Sequence, residues 1–237
     1  MANVEDLESV LGTQFRDRAI LKEALTHRSY INENPSWPLP HNERLEYLGD
    51  AVLELIVTEF LYEKFPQDNE GRLTSLRAAL VNYQMLSRVA RDIKLEKYLY
   101  LSKGEAKDIG KAREVILANA IEALFGAIYL DQGYGVSKRV IANIVFPHLD
   151  EIIEKGLDRD PKSFLQEQAQ ELFKVTPVYK VLREEGPDHQ KEFFVGVYFN
   201  DELFGEGSGT SKQEAESKSA EDALLKLKDK KNMKPNA

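Results

Sequence analysis

The hydrophobic pattern of this chain switches period once, and the switch divides the sequence into two folding problems. Through residue 155, apolar side chains recur at three- and four-residue spacings, the mark of amphipathic helices. Residues 4–11, 18–25, 42–65, 71–80, 83–93, 113–130 and 135–155 carry this pattern, and residues 32–40, with three prolines and the only tryptophan, predict a loop. After the polar break Gly156-Leu157-Asp158-Arg159-Asp160 the pattern changes. A helix beginning at Pro161, a favoured first helical residue, is followed by short β-like runs at 179–183, 193–199 and 203–205. In the second run Phe193, Val195, Val197 and Phe199 share one face. Gly207-Ser208-Gly209-Thr210 reads as a closing turn. A final helix opens on Ser211-Lys212-Gln213-Glu214, which has capping-box spacing.

The expected architecture is therefore an all-α N-terminal domain (1–155), a linker (156–160) and a small α+β domain of order α-β-β-β-α (161–228). A lysine-rich tail (229–237) is expected to be disordered.

Absences narrow the chemistry. There is no cysteine, which removes disulfides, thiolate catalysis and cysteine-ligated metals. Four histidines, His27, His41, His148 and His189, lie far apart without metal-ligand spacing, and His27 and His41 read as capping or packing residues. No organic cofactor is expected. The start, MANVEDLESV, has no apolar signal-peptide core. The longest apolar stretch, 115–130, is too short and polar to span a bilayer. A cytoplasmic protein without membrane association is the expectation. The net charge is −8, and both parts of the chain are acidic. A polyanion must then be held by local cationic clusters or bound cations rather than by the overall field.

The segment HNERLEYLGDAVLE (41–54) carries the clearest chemical signal. At about 100° per residue, Glu43, Glu46 and Asp50 fall within about 60° of one another, with Glu54 continuing the row and Leu45, Leu48, Val52 and Ile56 opposite. Alone, such a row is consistent with a solvated acidic face balanced by cations such as Arg44. A second helix adds to it. In VILANAIEALFGAIYL (115–130) Glu122 is the only charge and Asn119 the only other strongly polar side chain, at i, i+3. A carboxylate in so apolar a helix needs a partner. Glu46, Asp50, Asn119 and Glu122 together make an oxygen-rich donor set suited to Mg²⁺, which points to metal-assisted phosphodiester hydrolysis.

HNERLEYLGDAVLE closely resembles the signature segment of the ribonuclease III family, and ILANAIEALFGAIYLDQG (116–133) resembles that family's second catalytic helix. The α-β-β-β-α part is similar to the double-stranded-RNA-binding domain of bacterial members, so the resemblance covers essentially the whole chain. It implies an endoribonuclease that cuts double-stranded RNA with Mg²⁺, Mn²⁺ substituting. The expected products carry 5′-phosphate, 3′-hydroxyl and a short 3′ overhang, and the expected role is in rRNA and mRNA processing. By position, Asp50 and Glu122 match catalytic acids, and Glu46, Asp50 and Glu122 match metal ligands. Glu43 matches an acid of dimer and substrate contacts, and Glu70 an outlying acid near the active-site valley. Tyr47 matches an aromatic that plugs the partner subunit of a homodimer. Asn119 departs from the family's usual aspartate. It keeps an amide oxygen for the metal but brings no charge.

In the second domain, Ser163, Gln166 and Glu167 are suited to 2′-hydroxyls of an RNA minor groove. The loop Gly186-Pro187-Asp188-His189 resembles a second minor-groove probe, and Ser211 and Lys212 open the last helix, where a phosphate is favoured. Gln213 and Glu216 stand where related domains often carry basic residues, and Lys218 compensates in part. Two other readings fit parts of the sequence. A double-stranded-RNA-binding protein with weakened or lost cleavage is supported by Asn119. A purely structural helical dimer with a solvated acidic face predicts no metal response and no RNA binding.

Overall fold

A computed structural model describes residues 3–187 and 191–232, with side chains described through residue 227. It divides into two compact units, one ending at Asp158 and the other beginning at Arg159. The first is all helical: α1 (Val4–Leu11), α2 (Arg18–Ala24), α3 (Arg28–Glu33), α4 (Glu43–Lys64), α5 (Glu70–Val81), α6 (Tyr83–Asp92), α7 (Lys111–Gln132), α8 (Tyr134–Ile144) and α9 (Leu149–Lys155). Side-chain oxygens of Asn3, Asp17, Asn69 and Asn82 accept first-turn N–H groups at the starts of α1, α2, α5 and α6, satisfying donors that a helix start leaves unpaired.

The expected loop at 32–40 begins inside a helix. The His27 ring caps α3 by accepting from the Ser29 N–H at 3.3 Å, and that cap starts the helix before the prolines can stop it. The expected helix over 135–155 is two helices. Pro147, which lacks an N–H, lies in a 3₁₀ turn, Phe146–His148, between α8 and α9.

Helix α7 is apolar on nearly every side and buries Ile116, Leu117, Ala118, Ala120, Ile121, Ala123, Leu124, Phe125, Ala127 and Ile128, as a helix enclosed by its neighbours must. Each fully buried Leu, Ile or Phe contributes about 2 kcal/mol from removal of apolar surface from water. Helix α4 supplies Leu45, Val52, Leu53, Ile56, Val57 and Leu61 to the same core. Where the two helices meet, each carries a glycine. A Cβ on Gly49 would lie 2.6 Å from the carbonyl carbon of Glu122 and 2.8 Å from the Gly126 nitrogen. A Cβ on Gly126 would lie 3.1 Å from the Gly49 nitrogen. The backbones touch, and only glycine leaves room.

The second unit contains α10 (Pro161–Phe173), β1 (Val178–Glu185), β2 (Glu192–Phe199), β3 (Glu202–Gly209) and α11 (Lys212–Asn232). The sheet is antiparallel in the order β1-β2-β3, with Val181 opposite Val195 and Val197 opposite Gly205. Val195, Val197 and Phe199 of the alternating run are buried, and α10 and α11 cover that face with Leu165, Ala169, Ala220, Ala223 and Leu227.

Strand β3 is longer than its apolar residues suggest, because Gly207-Ser208-Gly209 continues the strand rather than closing it. A Cβ on Gly205 would lie 2.8 Å from the Ala223 nitrogen, and one on Gly207 would lie 2.6 Å from the Ala215 carbonyl. Those glycines let α11 sit directly on the strand. Helix α11 continues to Asn232, past the expected end at 228 and into the segment expected to be disordered. Among the described residues no helix is long and apolar enough to cross a membrane.

Candidate active site

The glycine crossing sets the geometry of the acids. Glu46 and Asp50 flank Gly49 on α4, and Asn119 and Glu122 lie within one or two turns of Gly126 on α7. All four side chains come to one side of the crossing. The Asn119 amide donates to the Glu46 carboxylate, while Asp50 and Glu46 both act electrostatically on Glu122. Burial, then the negative charges of Asp50 and Glu46, push the Glu122 carboxyl up to about 8. Glu46 is raised by burial and by Glu43, and the Asn119 hydrogen bond works against both. Every resolved influence on Glu122 disfavours its charge. Such a cluster gains from a cation.

The sequence-predicted residues do not all gather here. Glu43 turns toward Arg28, at 3.5 Å, and His41, at 3.8 Å. Glu54, which continues the row in sequence, pairs instead with Arg77 at 3.2 Å. Glu70 begins α5 and accepts from the Thr74 hydroxyl at 3.0 Å. It lines a different groove, with Thr58, Tyr62 and Arg77. Tyr47 is 84% exposed. Among the described residues no three acidic or imidazole groups form a closed metal-ligand cluster. Glu46, Asp50, Asn119 and Glu122 are thus an acidic neighbourhood from which an ion could be held, their oxygens being the hard donors that Mg²⁺ takes.

Sequence reasoning missed Gly49 and Gly126, which bring the acids together, and Arg28, which holds Glu43. The available signal was two glycines inside otherwise strong helical stretches, where glycine costs about 1 kcal/mol against alanine and needs a reason.

In the second unit Ser163, Gln166 and Glu167 are exposed along α10, and Glu167 is engaged by Arg159 at 2.9 Å. The Ser211 hydroxyl accepts the Glu214 N–H at 3.2 Å. Lys212 lies 3.4 Å from Glu184 and over the Phe193 ring, and Lys218 pairs with Glu214 at 2.9 Å. His189 lies outside the described residues.

Comparison with known proteins identifies each of the two units. Residues 17–149 match a family described as Ribonuclease-III-like, and residues 161–227 match the double-stranded RNA binding motif. The chain is 46% identical over 220 residues to Ribonuclease 3 of Pelotomaculum thermopropionicum, covering 93% of this chain and 91% of that protein. It is 44% identical over 222 residues to Ribonuclease 3 of Enterococcus faecalis, covering 94% and 96%. Its structure is similar to the nuclease domain of ribonuclease III from Campylobacter jejuni, with a TM-score of 0.56 and 40% identity over 62% of this chain and 97% of that one. The chain belongs to the ribonuclease III family of endoribonucleases.

Proposed function

We propose that this endoribonuclease hydrolyses phosphodiester bonds of double-stranded RNA with Mg²⁺, Mn²⁺ substituting, and leaves 5′-phosphate, 3′-hydroxyl and a short 3′ overhang. The observation that carries the reading is the convergence of Glu46, Asp50, Asn119 and Glu122 from two helices at the Gly49–Gly126 crossing. These four residues would hold the ion, and Asp50 and Glu122 would act closest to the chemistry. A bound divalent cation supplies Lewis acidity: it makes a nucleophile available from water near neutral pH and offsets charge on the phosphoryl and leaving oxygens.

The chain's own residues prepare that chemistry. Asn119 lies beside Glu46 and favours its charged form against burial and the nearby acids. Glu122 keeps its proton up to about 8 while the cluster is uncompensated, so proton release accompanies arrival of positive charge. The wall of buried side chains around α7 keeps bulk water from one side of the cluster, which strengthens each electrostatic contact. In the second unit, exposed polar groups of α10 and the cationic start of α11 suit the 2′-hydroxyls and phosphates of an A-form duplex.

A homodimer is part of the reading. Tyr47, Leu55 and Tyr62 are 84%, 58% and 72% exposed and fall within about 80° of one another on α4, beside the acid row. An exposed apolar stripe of this kind marks an interface. Cytoplasmic action in rRNA and mRNA processing completes the proposal. Asn119 favours a second reading, RNA binding with weakened or lost cleavage, because the site carries one acid fewer than the family pattern. Product mapping on a long RNA duplex with Mg²⁺, Mn²⁺ or Ca²⁺ distinguishes them. Short duplexes with the stated ends support cleavage, and retained but uncut RNA in every metal supports binding alone.

A further inference from the structure

The residues joining the two units are nearly all committed to one side or the other. Helix α9 ends on Gly156 at φ 67°. The Leu157 N–H then donates back to the Ile152 carbonyl at 2.9 Å, a Schellman-type closure that fixes the chain direction. Asp158 follows with its carboxylate fully buried, paired with Arg72 of α5, whose side chain is 25% exposed. A buried carboxylate is strongly held, because removing its partner leaves an uncompensated charge. On the other side, Arg159 pairs with Glu167 at 2.9 Å and lies 4.8 Å over the Phe164 ring. Asp160 caps α10 by accepting from Ser163 N–H at 2.9 Å.

We infer that the Arg72–Asp158 pair is a latch that confines the hinge between the units to the single junction Asp158–Arg159. With both neighbours anchored, only the two soft dihedrals flanking that peptide turn freely. Releasing Asp158 adds two more and lengthens the tether by about 3.5 Å. Arg72 and Asp158 thereby act as positioning residues. They touch neither substrate nor reacting atoms, but they limit where the RNA-binding unit can carry a duplex relative to the acid site, a consequence that rests on the proposed nuclease reading.

The chain contains no cysteine, so Glu63→Cys and Glu221→Cys, both at exposed positions, place two spin labels, one on each unit. Labelled full-length chain is diluted with unlabelled chain to suppress distances between copies. Pulsed dipolar spectroscopy should give a narrower distribution for the parent chain than for either latch variant. In Arg72→Gln and in Asp158→Asn the variance should be roughly twofold larger, as the free dihedrals double. Equal widths in parent and variants, or a parent already as broad, overturn the latch. Arg72→Gln, altering the more exposed partner, keeps the test open if Asp158→Asn does not fold. In the same variants KM for duplex cleavage should rise severalfold with kcat within twofold. Unchanged KM alongside a broadened distribution overturns the positioning role and leaves the latch standing. Absence of cleavage in the parent chain counts against the nuclease reading, and the distance measurement is unaffected.

Discussion

The backbone of Glu122 occupies the space that a side chain on Gly49 would need, with the Glu122 carbonyl carbon 2.6 Å from where that Cβ would stand. The same contact places Glu46 and Asp50 beside Asn119 and Glu122. Gly49→Ala should therefore damage packing and site together. Overpacking costs about 1–3 kcal/mol, and because the obstructing atoms are backbone, the upper end or beyond is expected. Urea unfolding of Gly49→Ala, set against Gly135→Ala, measures this. Gly135 has open space around its Cβ position, so alanine there should be neutral or stabilising by up to about 1 kcal/mol. Equal effects of the two would contradict the close crossing.

Glu122 gives the metal-free protein a distinct pH dependence. Its carboxyl sits at about 8 in the folded state against an ordinary value of 4.5, so the folded chain binds the extra proton. Stability present below about 4.5 is lost as pH rises through about 8. In chelator, Glu122→Gln should gain melting temperature over the parent chain progressively across that window. A constant difference between the two at all pH values would refute the assignment.

Asn119→Asp restores a fourth acid and removes the amide that donates to Glu46. Less Mg²⁺ should then be needed for half-maximal cleavage of duplex RNA. If the aspartate form gains nothing in metal affinity or rate, Asn119 is not part of the ion site.

Lys212 stands at the start of α11, 3.4 Å from Glu184. Lys212→Gln should weaken RNA retention about equally across sequences and reduce the slope of log affinity against log salt by about 1. An unchanged slope would place the phosphate contact elsewhere.

Much of this was legible in the residues, for reasons that differ by element. The acid row on α4 and the lone polar pair on α7 followed from helical spacing, because period is local. That Glu43 and Glu54 turn away from the site did not follow. Glu54 lies in the row by angle but faces Arg77, and only tertiary packing decides that. Gly49 and Gly126 were ambiguous because a mid-helix glycine looks the same whether it marks weakness or a backbone contact. The sequence pattern shortens strand β3 because glycine is a turn signal, whereas here Gly205 and Gly207 accommodate α11. The short length of helix α3 and its histidine cap hide it in the sequence, and the strong apolar pattern of 135–155 conceals the split at Pro147.

The central claim is that side chains of α4 and α7 act as one metal-dependent hydrolytic site. The most direct measurement compares parent chain and Glu122→Gln on a long RNA duplex with Mg²⁺, following retention and cleavage in the same reaction. The account predicts that both proteins retain the duplex and that only the parent chain cuts it, with no cutting in chelator. Comparable cleavage by Glu122→Gln, or cutting that persists in chelator, would contradict it.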